Sequence, residues 1–188
     1  ELARQAKWVA FGGSLPPRVP IDAYRILGEI AHEAGAKVMA DADGAPLAEA
    51  LKARPDFIKP NSYEAARLLG HPVDTLTEAA RSAAELLALL SPGGAAVISR
   101  GKDGAVLSCE EGTFLGVSPS VEVKSTVGAG DSMIGSMLSR AIDGDSWPEA
   151  FRWGLAAGAA TATTDGTKIA RRSVVELLWD KATVERLD

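Results

Sequence analysis

Short apolar runs alternate along the chain with longer segments in which apolar residues recur every three or four positions. The runs predict buried strands, and the periodic segments predict amphipathic helices. The predicted strands cover 8–11, 37–40, 56–59 and 95–99, followed by a hairpin of 105–107 with 113–115. The predicted helices cover 22–34, 45–53, 62–69, 77–90, 130–142, 147–164 and 173–186.

Two of these helices carry a continuous apolar stripe, which we expect to face a hydrophobic core. The stripe of helix 22–34 consists of Ile26, Leu27, Ile30 and Ala31. The stripe of helix 77–90 consists of Leu76, Ala80, Ala83, Leu87 and Leu90.

The alternation of strands and helices predicts an α/β fold, in which a mostly parallel sheet is covered on both faces. No Pro-rich or Ser-rich linker divides the chain, so we predict a single domain over 1–188. Ligands of such sheets bind beyond the carboxyl ends of the strands. The loops in that position are 12–18, 41–44, 59–64, 100–104 and 124–131.

Charge and composition narrow the classes of partner. The net charge of −5 and the pI near 5.1 argue against a nucleic-acid or anionic-membrane surface. No apolar run reaches the length of a membrane span. The single cysteine, Cys109, allows no intramolecular disulfide and favours a cytoplasmic location, with Cys109 packed as a small hydrophobe. His32 and His71 lie away from the loops above and are expected to be structural or solvated.

The segment 125–132 has the composition of an anion-binding helix start. Gly128 and Gly130 allow a sharp turn that exposes backbone amides, and these amides favour a transferring phosphoryl group. Asp131, in the first helical turn, could accept a proton from a substrate hydroxyl. A short GxGD pattern also occurs by chance as an ordinary helix start, with Asp131 only stabilising the helix. A dinucleotide fingerprint would need glycine where Met133 stands, and no Walker A loop is present.

Three further loops combine polar and glycine residues. In 59–64, Asn61 and Glu64 suit Mg²⁺ as oxygen donors, although the same spacing is more commonly a capping box. In 13–18, Ser14 and loop amides could hold a phosphate, or the two prolines could simply make a rigid turn. Segment 99–104 could border nucleotide phosphates or be a polar turn between strands.

The order and spacing of these four segments resemble those of the ribokinase-like carbohydrate kinases. Gly-Ser-Leu-Pro-Pro at 13–17, Lys-Pro-Asn-x-x-Glu at 59–64, Ser-x-Gly-x-x-Gly at 99–104 and Thr-Val-Gly-Ala-Gly-Asp-Ser at 126–132 carry the resemblance. The chain looks most like the C-terminal part of the phosphofructokinase B branch, which includes 1-phosphofructokinase and tagatose-6-phosphate kinase. The resemblance implies a three-layer αβα sandwich from which the N-terminal portion and the β-lid are absent.

The resemblance also implies a reaction and a site. The reaction is the phosphorylation of a phosphosugar hydroxyl by ATP with Mg²⁺. The implied base is Asp131, and the implied anion hole consists of the amides of Gly128, Ala129 and Gly130. The implied substrate contact is Ser14, and the metal-bound phosphates are implied to be held through water by Asn61 and Glu64. The implied nucleotide contacts are Ser99, Gly101, Gly104 and Lys59. The resemblance further suggests a monovalent cation such as K⁺ near the Asp131 loop, and a homodimer of the intact protein.

Three departures from the family pattern bear on function. Arg18 stands where relatives usually have glycine, and Asp43 replaces a usual hydroxyl residue with a carboxylate that could repel phosphate. The third departure is the absent N-terminal portion, without which we expect these 188 residues to be inactive alone. The alternative function is therefore a truncated, non-catalytic remnant that binds nucleotide or phosphosugar. A nucleoside or vitamin kinase is disfavoured by the sequences at 13–17 and 59–61.

Overall fold

The computed structural model describes residues 1–187, so Asp188 of the predicted domain lies outside the described residues. The strands are β1 (Trp8–Gly12), β2 (Lys37–Asp41), β3 (Phe57–Ile58), β4 (Ala95–Ser99), β5 (Ala105–Cys109), β6 (Gly112–Val117) and β7 (Thr183–Leu187). The helices are α1 (Ala23–Glu33), α2 (Gly44–Leu51), α3 (Ser62–Leu69), α4 (Leu76–Leu87), α5 (Ala129–Asp143), α6 (Trp147–Ala162) and α7 (Arg172–Trp179).

The strands form a seven-stranded sheet whose order follows the chain. β1 pairs with β2, β2 with β3 and β3 with β4, all in parallel. The predicted α/β class is therefore confirmed. The bounds of α3 and β4 coincide with the predicted segments 62–69 and 95–99.

The chain divides into two compact units, which are described separately. The first unit comprises Glu1–Ser99 with Ser108–Thr113, and the second comprises Arg100–Leu107 with the described residues from Phe114 onward. The single domain over 1–188 stays a prediction.

In the first unit, a buried carboxylate joins a helix to the sheet. Asp56, at the start of β3, accepts a hydrogen bond of 2.8 Å from the Val38 N–H. His32 Nε2 of α1 lies 2.9 Å from the same carboxylate oxygen and donates to it. The buried charge is thus hydrogen-bonded on two sides, as burial requires. His32 has the structural role that the sequence predicts.

Capping boxes begin α3 and α4. At α4 the Thr75 hydroxyl accepts the Glu78 N–H at 3.2 Å, and Glu78 accepts the Thr75 and Asp74 N–H groups at 2.8 and 2.9 Å. These backbone donors lower the pKa of the Glu78 carboxyl, because they favour its charged form. The caps therefore fix where each helix begins.

The second unit is organised by the packing of α5 against α6, which small residues make close. A Cβ added at Gly154 of α6 would lie 2.6 Å from Met137 Cγ of α5. One added at Gly158 would lie 3.2 Å from the Ala129 carbonyl oxygen. Glycine at these two positions lets the helix carrying Asp131 pack closely on α6.

The predicted helix 173–186 is wrong in its second half. α7 ends at Trp179, and Thr183–Leu187 form β7 instead. No glycine or proline marks this boundary, so residues 172–187 contain no helix stop signal. The end is set by a tertiary contact, since Arg152 Nε of α6 donates to the Ala182 carbonyl at 2.9 Å.

The predicted apolar stripes are only partly buried. On α1, Ala31 is 2% exposed, but Ile26, Leu27 and Ile30 are 40%, 46% and 51% exposed. On α4 the buried face is displaced by about one position and consists of Ala79, Ser82, Ala83 and Leu86. Small residues therefore make the buried face of α1, whereas on α4 the large side chain of Leu86 is fully buried beside them.

Candidate active site

In the first unit, several of the predicted site loops begin at the carboxyl edge of the sheet. The parallel register pairs Gly12 with Asp41, and an isolated parallel bridge pairs Asn61 with Ser99. The Gly13 N–H donates to the Asp41 carbonyl at 2.9 Å. The loops that carry Ser14, Asp41, Asn61 and Ser99 therefore start side by side, where ligands of parallel sheets bind.

The loop after β1 is an exposed turn. Tyr24 Oη of α1 donates to the Gly12 and Gly13 carbonyls at 3.3 and 3.1 Å, which anchors the start of the loop. Ser14 is exposed and engaged by no protein hydrogen bond among residues 1–187. Its hydroxyl is therefore available to a ligand.

Lys59 is the most buried charged group at this edge. Its side chain is 8% exposed, and Nζ lies 3.7 Å from Asp41 Oδ1 at the end of β2. A buried ammonium needs such a counter-charge. The ion pair with Asp41 holds the Lys59 ammonium beside the loops, and it also neutralises part of the positive charge of Lys59.

Asn61 and Glu64 form the capping box of α3. The Glu64 N–H donates to Asn61 Oδ1 at 2.9 Å, and the Asn61 N–H donates to Glu64 Oε2 at 2.8 Å. The capping box, which is the commoner explanation of this spacing, is therefore confirmed. Within the described chain, Glu64 Oε1 takes no hydrogen bond from the protein.

The capping box is compatible with a contact between Glu64 and Mg²⁺. Mg²⁺ keeps most of its waters and needs few protein ligands when phosphates accompany it. Over residues 1–187 no cluster of three or more His, Cys, Asp or Glu side chains could enclose a metal. The free oxygen of Glu64 therefore fits a water-mediated contact to Mg²⁺ on a nucleotide, whereas an all-protein cage does not fit.

Arg67 is a residue of this edge that the sequence analysis missed. Its guanidinium Nη1 on α3 lies 2.9 Å from Asp43 Oδ2 in the loop after β2. The two residues are 24 positions apart, so no local pattern links them. The carboxylate of Asp43, expected to repel phosphate, is therefore paired.

In the second unit, the turn after β4 is tight. Gly101–Asp103 form one turn of 3₁₀ helix, and Gly104 has a φ of 83°. A Cβ at Gly104 would lie 2.1 Å from the Gly116 carbonyl oxygen, so no larger residue fits without moving the backbone. The interpretation of 99–104 as a turn between strands is confirmed. Its role at nucleotide phosphates stays a prediction.

The glycine-rich turn before α5 has the expected shape. Gly128 is the N-cap residue, with a φ of 76°, and its carbonyl accepts the Ser132 N–H at 2.9 Å. The Ala129 N–H makes a long bond of 3.3 Å to the Thr126 carbonyl. Among residues 1–187 the Gly130 and Asp131 amides meet no protein acceptor. They are therefore open at the positive end of the helix dipole.

Asp131 lies exposed in the first turn of α5. Within the described chain no cation or hydrogen-bond donor engages its carboxylate. An unpaired carboxylate beside open amides is suited to accept a proton while the amides stabilise an anion.

Hydrogen bonds from α6 hold this turn in place. Thr161, which is 1% exposed, donates through Oγ1 to Ser132 Oγ at 2.8 Å and accepts the Ala170 N–H at 3.3 Å. Ser125 Oγ donates to the Gly166 carbonyl at 2.7 Å. The sequence pattern gave no sign of these supports, because each joins residues far apart in the chain.

Beside the turn, a cleft of about 410 Å³ runs along the exposed face of α5 from Asp131. Ser132, Ser136, Trp153 and Thr161 contribute to its walls.

Cys109 is buried in β5, and burial raises the pKa of its thiol, so it has the expected packing role. Over residues 1–187 no helix is long and apolar enough to cross a bilayer.

The fold and the site loops together match one known protein family. A model of the family described as pfkB family carbohydrate kinase matches residues 1–173. The chain belongs to the pfkB carbohydrate kinase family. The resemblance to this family inferred from the four segments is confirmed, whereas the absence of the N-terminal portion and of the β-lid stays a prediction.

Individual relatives agree with this assignment. A 1-phosphofructokinase of Rhodobacter capsulatus is 40% identical over 151 residues, which cover 80% of this chain and 47% of the relative. The crystal structure of phosphofructokinase-2 from Escherichia coli in complex with potassium superposes with a TM-score of 0.87 and 28% identity, covering 96% of this chain and 60% of that one.

Arabidopsis thaliana ribokinase, complexed with ribose and ATP, superposes with a TM-score of 0.79 at 23% identity, covering 95% of this chain and 57% of that one. This likeness shows the ribokinase-like fold. The chain spans about half the length of the curated relatives that it matches.

Proposed function

We propose that the whole protein containing this chain transfers the γ-phosphoryl group of ATP to a hydroxyl of a phosphosugar. The products are a sugar bisphosphate and ADP. One observation carries the proposal: Asp131 stands unpaired in the first turn of α5, next to the open amides of Gly130 and Asp131, in a chain of the pfkB family.

The chemical step follows from these groups. As the sugar hydroxyl oxygen bonds to the γ-phosphorus, its proton passes to the Asp131 carboxylate, and the bond from phosphorus to the bridging oxygen breaks to release ADP. The amides of Gly128, Ala129 and Gly130 are proposed to stabilise the transferring phosphoryl group. The Gly130 amide is more available than the Ala129 amide, because the Ala129 N–H is shared with Thr126.

Nucleotide and metal contacts are proposed for each unit by itself. Ser99, Gly101 and Gly104 would border the nucleotide, and the buried Lys59 ammonium would attract its phosphates. Asn61 and Glu64 would orient Mg²⁺ through water, by way of the free carboxylate oxygen of Glu64. The metal supplies charge neutralisation for the phosphates when it is bound.

The proposed substrate is fructose 1-phosphate or a ketohexose 6-phosphate, whose phosphate would meet the exposed Ser14 hydroxyl. Support comes from the relative named 1-phosphofructokinase. A monovalent cation near the Asp131 loop is proposed by analogy with the potassium complex of the E. coli relative. A cytoplasmic location and a homodimer complete the proposal for the whole protein.

Replacing Asp131 by Asn tests the reaction directly. The change removes the proton acceptor but keeps the size and the helix start, so kcat in the whole protein should fall by about 10²–10⁴-fold while folding is unchanged. The measurements are sugar-dependent ADP release and circular dichroism. Asp143→Asn, at the opposite end of α5, is the matched control and should keep normal turnover. Near-normal activity of Asp131→Asn would contradict the proposed base.

A second candidate, a non-catalytic remnant that binds nucleotide or phosphosugar, is favoured by one observation. The chain spans only about half the length of its curated relatives. Sugar-dependent turnover by the whole protein would exclude this candidate, whereas nucleotide binding without turnover would favour it.

A further inference from the structure

The carboxyl edge of the first unit carries three carboxylates where nucleotide phosphates are proposed to bind. Asp41, Asp43 and Glu64 all lie in its loops or at the start of α3. An unpaired carboxylate near a nucleotide phosphate raises the free energy of binding by Coulomb repulsion. Each carboxylate near this edge therefore needs a cation or hydrogen-bond donors of its own.

Asp41 and Glu64 have such partners among the groups already described. Asp41 faces the Lys59 ammonium at 3.7 Å, and Glu64 accepts the Asn61 N–H. Asp43 is a different case, because it occupies the N-cap position of α2 without capping it. Its backbone is extended, as in a cap residue, yet its side chain accepts no N–H of α2. The carboxylate turns to Arg67 instead.

Two contacts hold the Arg67 guanidinium in this position, and a glycine leaves space for it. Its Nη1 lies 2.9 Å from Asp43 Oδ2, and its Cζ lies 5.6 Å from the ring centre of Tyr63. A Cβ added at Gly44 would come within 3.3 Å of Arg67 Nη2, so the bare backbone of Gly44 leaves space for the guanidinium. The side chain thus joins the loop after β2 to the helix that begins with Asn61.

We propose that Asp43 and Arg67 form a positioning pair for the nucleotide phosphates: Arg67 neutralises Asp43 and holds the loop after β2 against α3. The inference rests on the proposed function, since it assigns MgATP to this edge. It gives Asp43, which differs from the usual hydroxyl residue at this position, a compensating partner within the chain. Arg67 acts through Asp43 and is not expected to touch the nucleotide.

A double-mutant cycle in the whole protein tests the pair, with KM for MgATP and the equilibrium Kd of a non-hydrolysable Mg–ATP analogue as readouts. Arg67→Gln leaves the Asp43 charge unpaired and should raise both constants about tenfold, with kcat nearly unchanged. Asp43→Ser should leave both constants nearly unchanged, because Arg67 already neutralises the charge that this change removes. The double variant should return to within about twofold of the wild type, which shows coupling.

Two controls are the dependence on ionic strength and the replacement of a second arginine that forms ion pairs. The effect of Arg67→Gln should shrink as ionic strength rises, because it comes from an exposed charge. Arg25→Gln removes a less exposed arginine of α1 that pairs with Asp22 at 2.7 Å and Glu29 at 3.0 Å, and it should leave KM for MgATP unchanged. If the pair of Arg67 and Asp43 only stabilised the fold, Arg67→Gln and Asp43→Ser would change the unfolding midpoint but not KM for MgATP.

Several outcomes would overturn the proposal. An unchanged KM in Arg67→Gln removes the role of the pair, and a double variant as impaired as Arg67→Gln alone means that Arg67 binds the nucleotide itself. Binding of the analogue without sugar-dependent turnover in the wild type contradicts the proposed reaction but leaves the pair measurable by Kd. A wild type that binds no nucleotide contradicts both.

Discussion

Arg18 has a backbone conformation that normally belongs to glycine. It follows Pro16 and Pro17 in the loop after β1 and has a φ of 72°. A side chain in the left-handed region crowds its own carbonyl, at a cost of about 1–2 kcal/mol. Glycine would avoid that cost, so this chain keeps a strained arginine close in sequence to the proposed sugar-phosphate contact, Ser14.

Replacing Arg18 by Gly should therefore make the chain more stable than replacing it by Ala. Alanine retains the strain, whereas glycine relieves it but gains conformational freedom in the unfolded state, and the difference should be about 1 kcal/mol in favour of glycine. Urea unfolding of both variants measures it. Gly13→Ala, with a φ of 85°, is the converse control and should destabilise by a similar amount. Equal stability of the Gly and Ala variants would contradict the strain.

At the same scale, sequence spacing predicted only the local contacts. The box of Asn61 and Glu64 spans three residues and follows from their order alone. The pairs of Lys59 with Asp41 and of Arg67 with Asp43 join different elements. Only the parallel register places these side chains together, so charge compensation at the edge could not be derived from the sequence.

At the scale of elements, the packing of α5 on α6 determines how firmly Asp131 is held. Gly154 faces Met137 so closely that a methyl group would overlap it, whereas a Cβ at Gly135 of α5 would meet no atom within 4 Å. The two helical glycines therefore differ in surroundings but share the low helix propensity of glycine. That contrast separates packing from propensity.

Alanine at the two positions should act in opposite directions. Gly154→Ala should destabilise the chain by about 1–2 kcal/mol, since overpacking exceeds the gain in helix propensity. Gly135→Ala should stabilise it by about 0.5–1 kcal/mol, because only propensity changes. Denaturant unfolding midpoints of the two variants check both signs. A stabilising Gly154→Ala would show that Met137 moves aside freely and that the helices are not closely packed there.

The order and type of most elements could be predicted because periodicity and glycine punctuation are local signals. The failures have tertiary causes. The sequence pattern predicts a helix through β7, but Arg152 Nε donates to the Ala182 carbonyl just before this strand, a contact between residues 30 positions apart. The exposed isoleucines of α1 follow from packing by Ala31 and Gly28, which the apolar stripe did not distinguish from larger residues. Helical periodicity identifies an apolar face but not the residues on it that reach the core.

The chain contains several of the proposed catalytic and binding residues, but it spans only about half the length of its curated relatives. Phosphoryl transfer depends on holding two substrates in reacting geometry, and this positioning supplies much of the rate. In the described chain the proposed sugar contact, Ser14, is exposed, and so is Asp131. Nucleotide binding and sugar turnover should therefore separate when the chain is compared with the whole protein.

We expect these 188 residues alone to bind Mg–ATP weakly and to release no ADP in response to fructose 1-phosphate or fructose 6-phosphate, whereas the whole protein does so. Calorimetry measures the binding, and a coupled assay measures ADP. Chelation of Mg²⁺ by EDTA should abolish turnover in the whole protein, and added Mg²⁺ should restore it, because the metal neutralises the nucleotide phosphates near Glu64. Robust sugar-dependent ADP release by the chain alone would mean that its own loops enclose and orient the sugar, despite the exposure of Ser14.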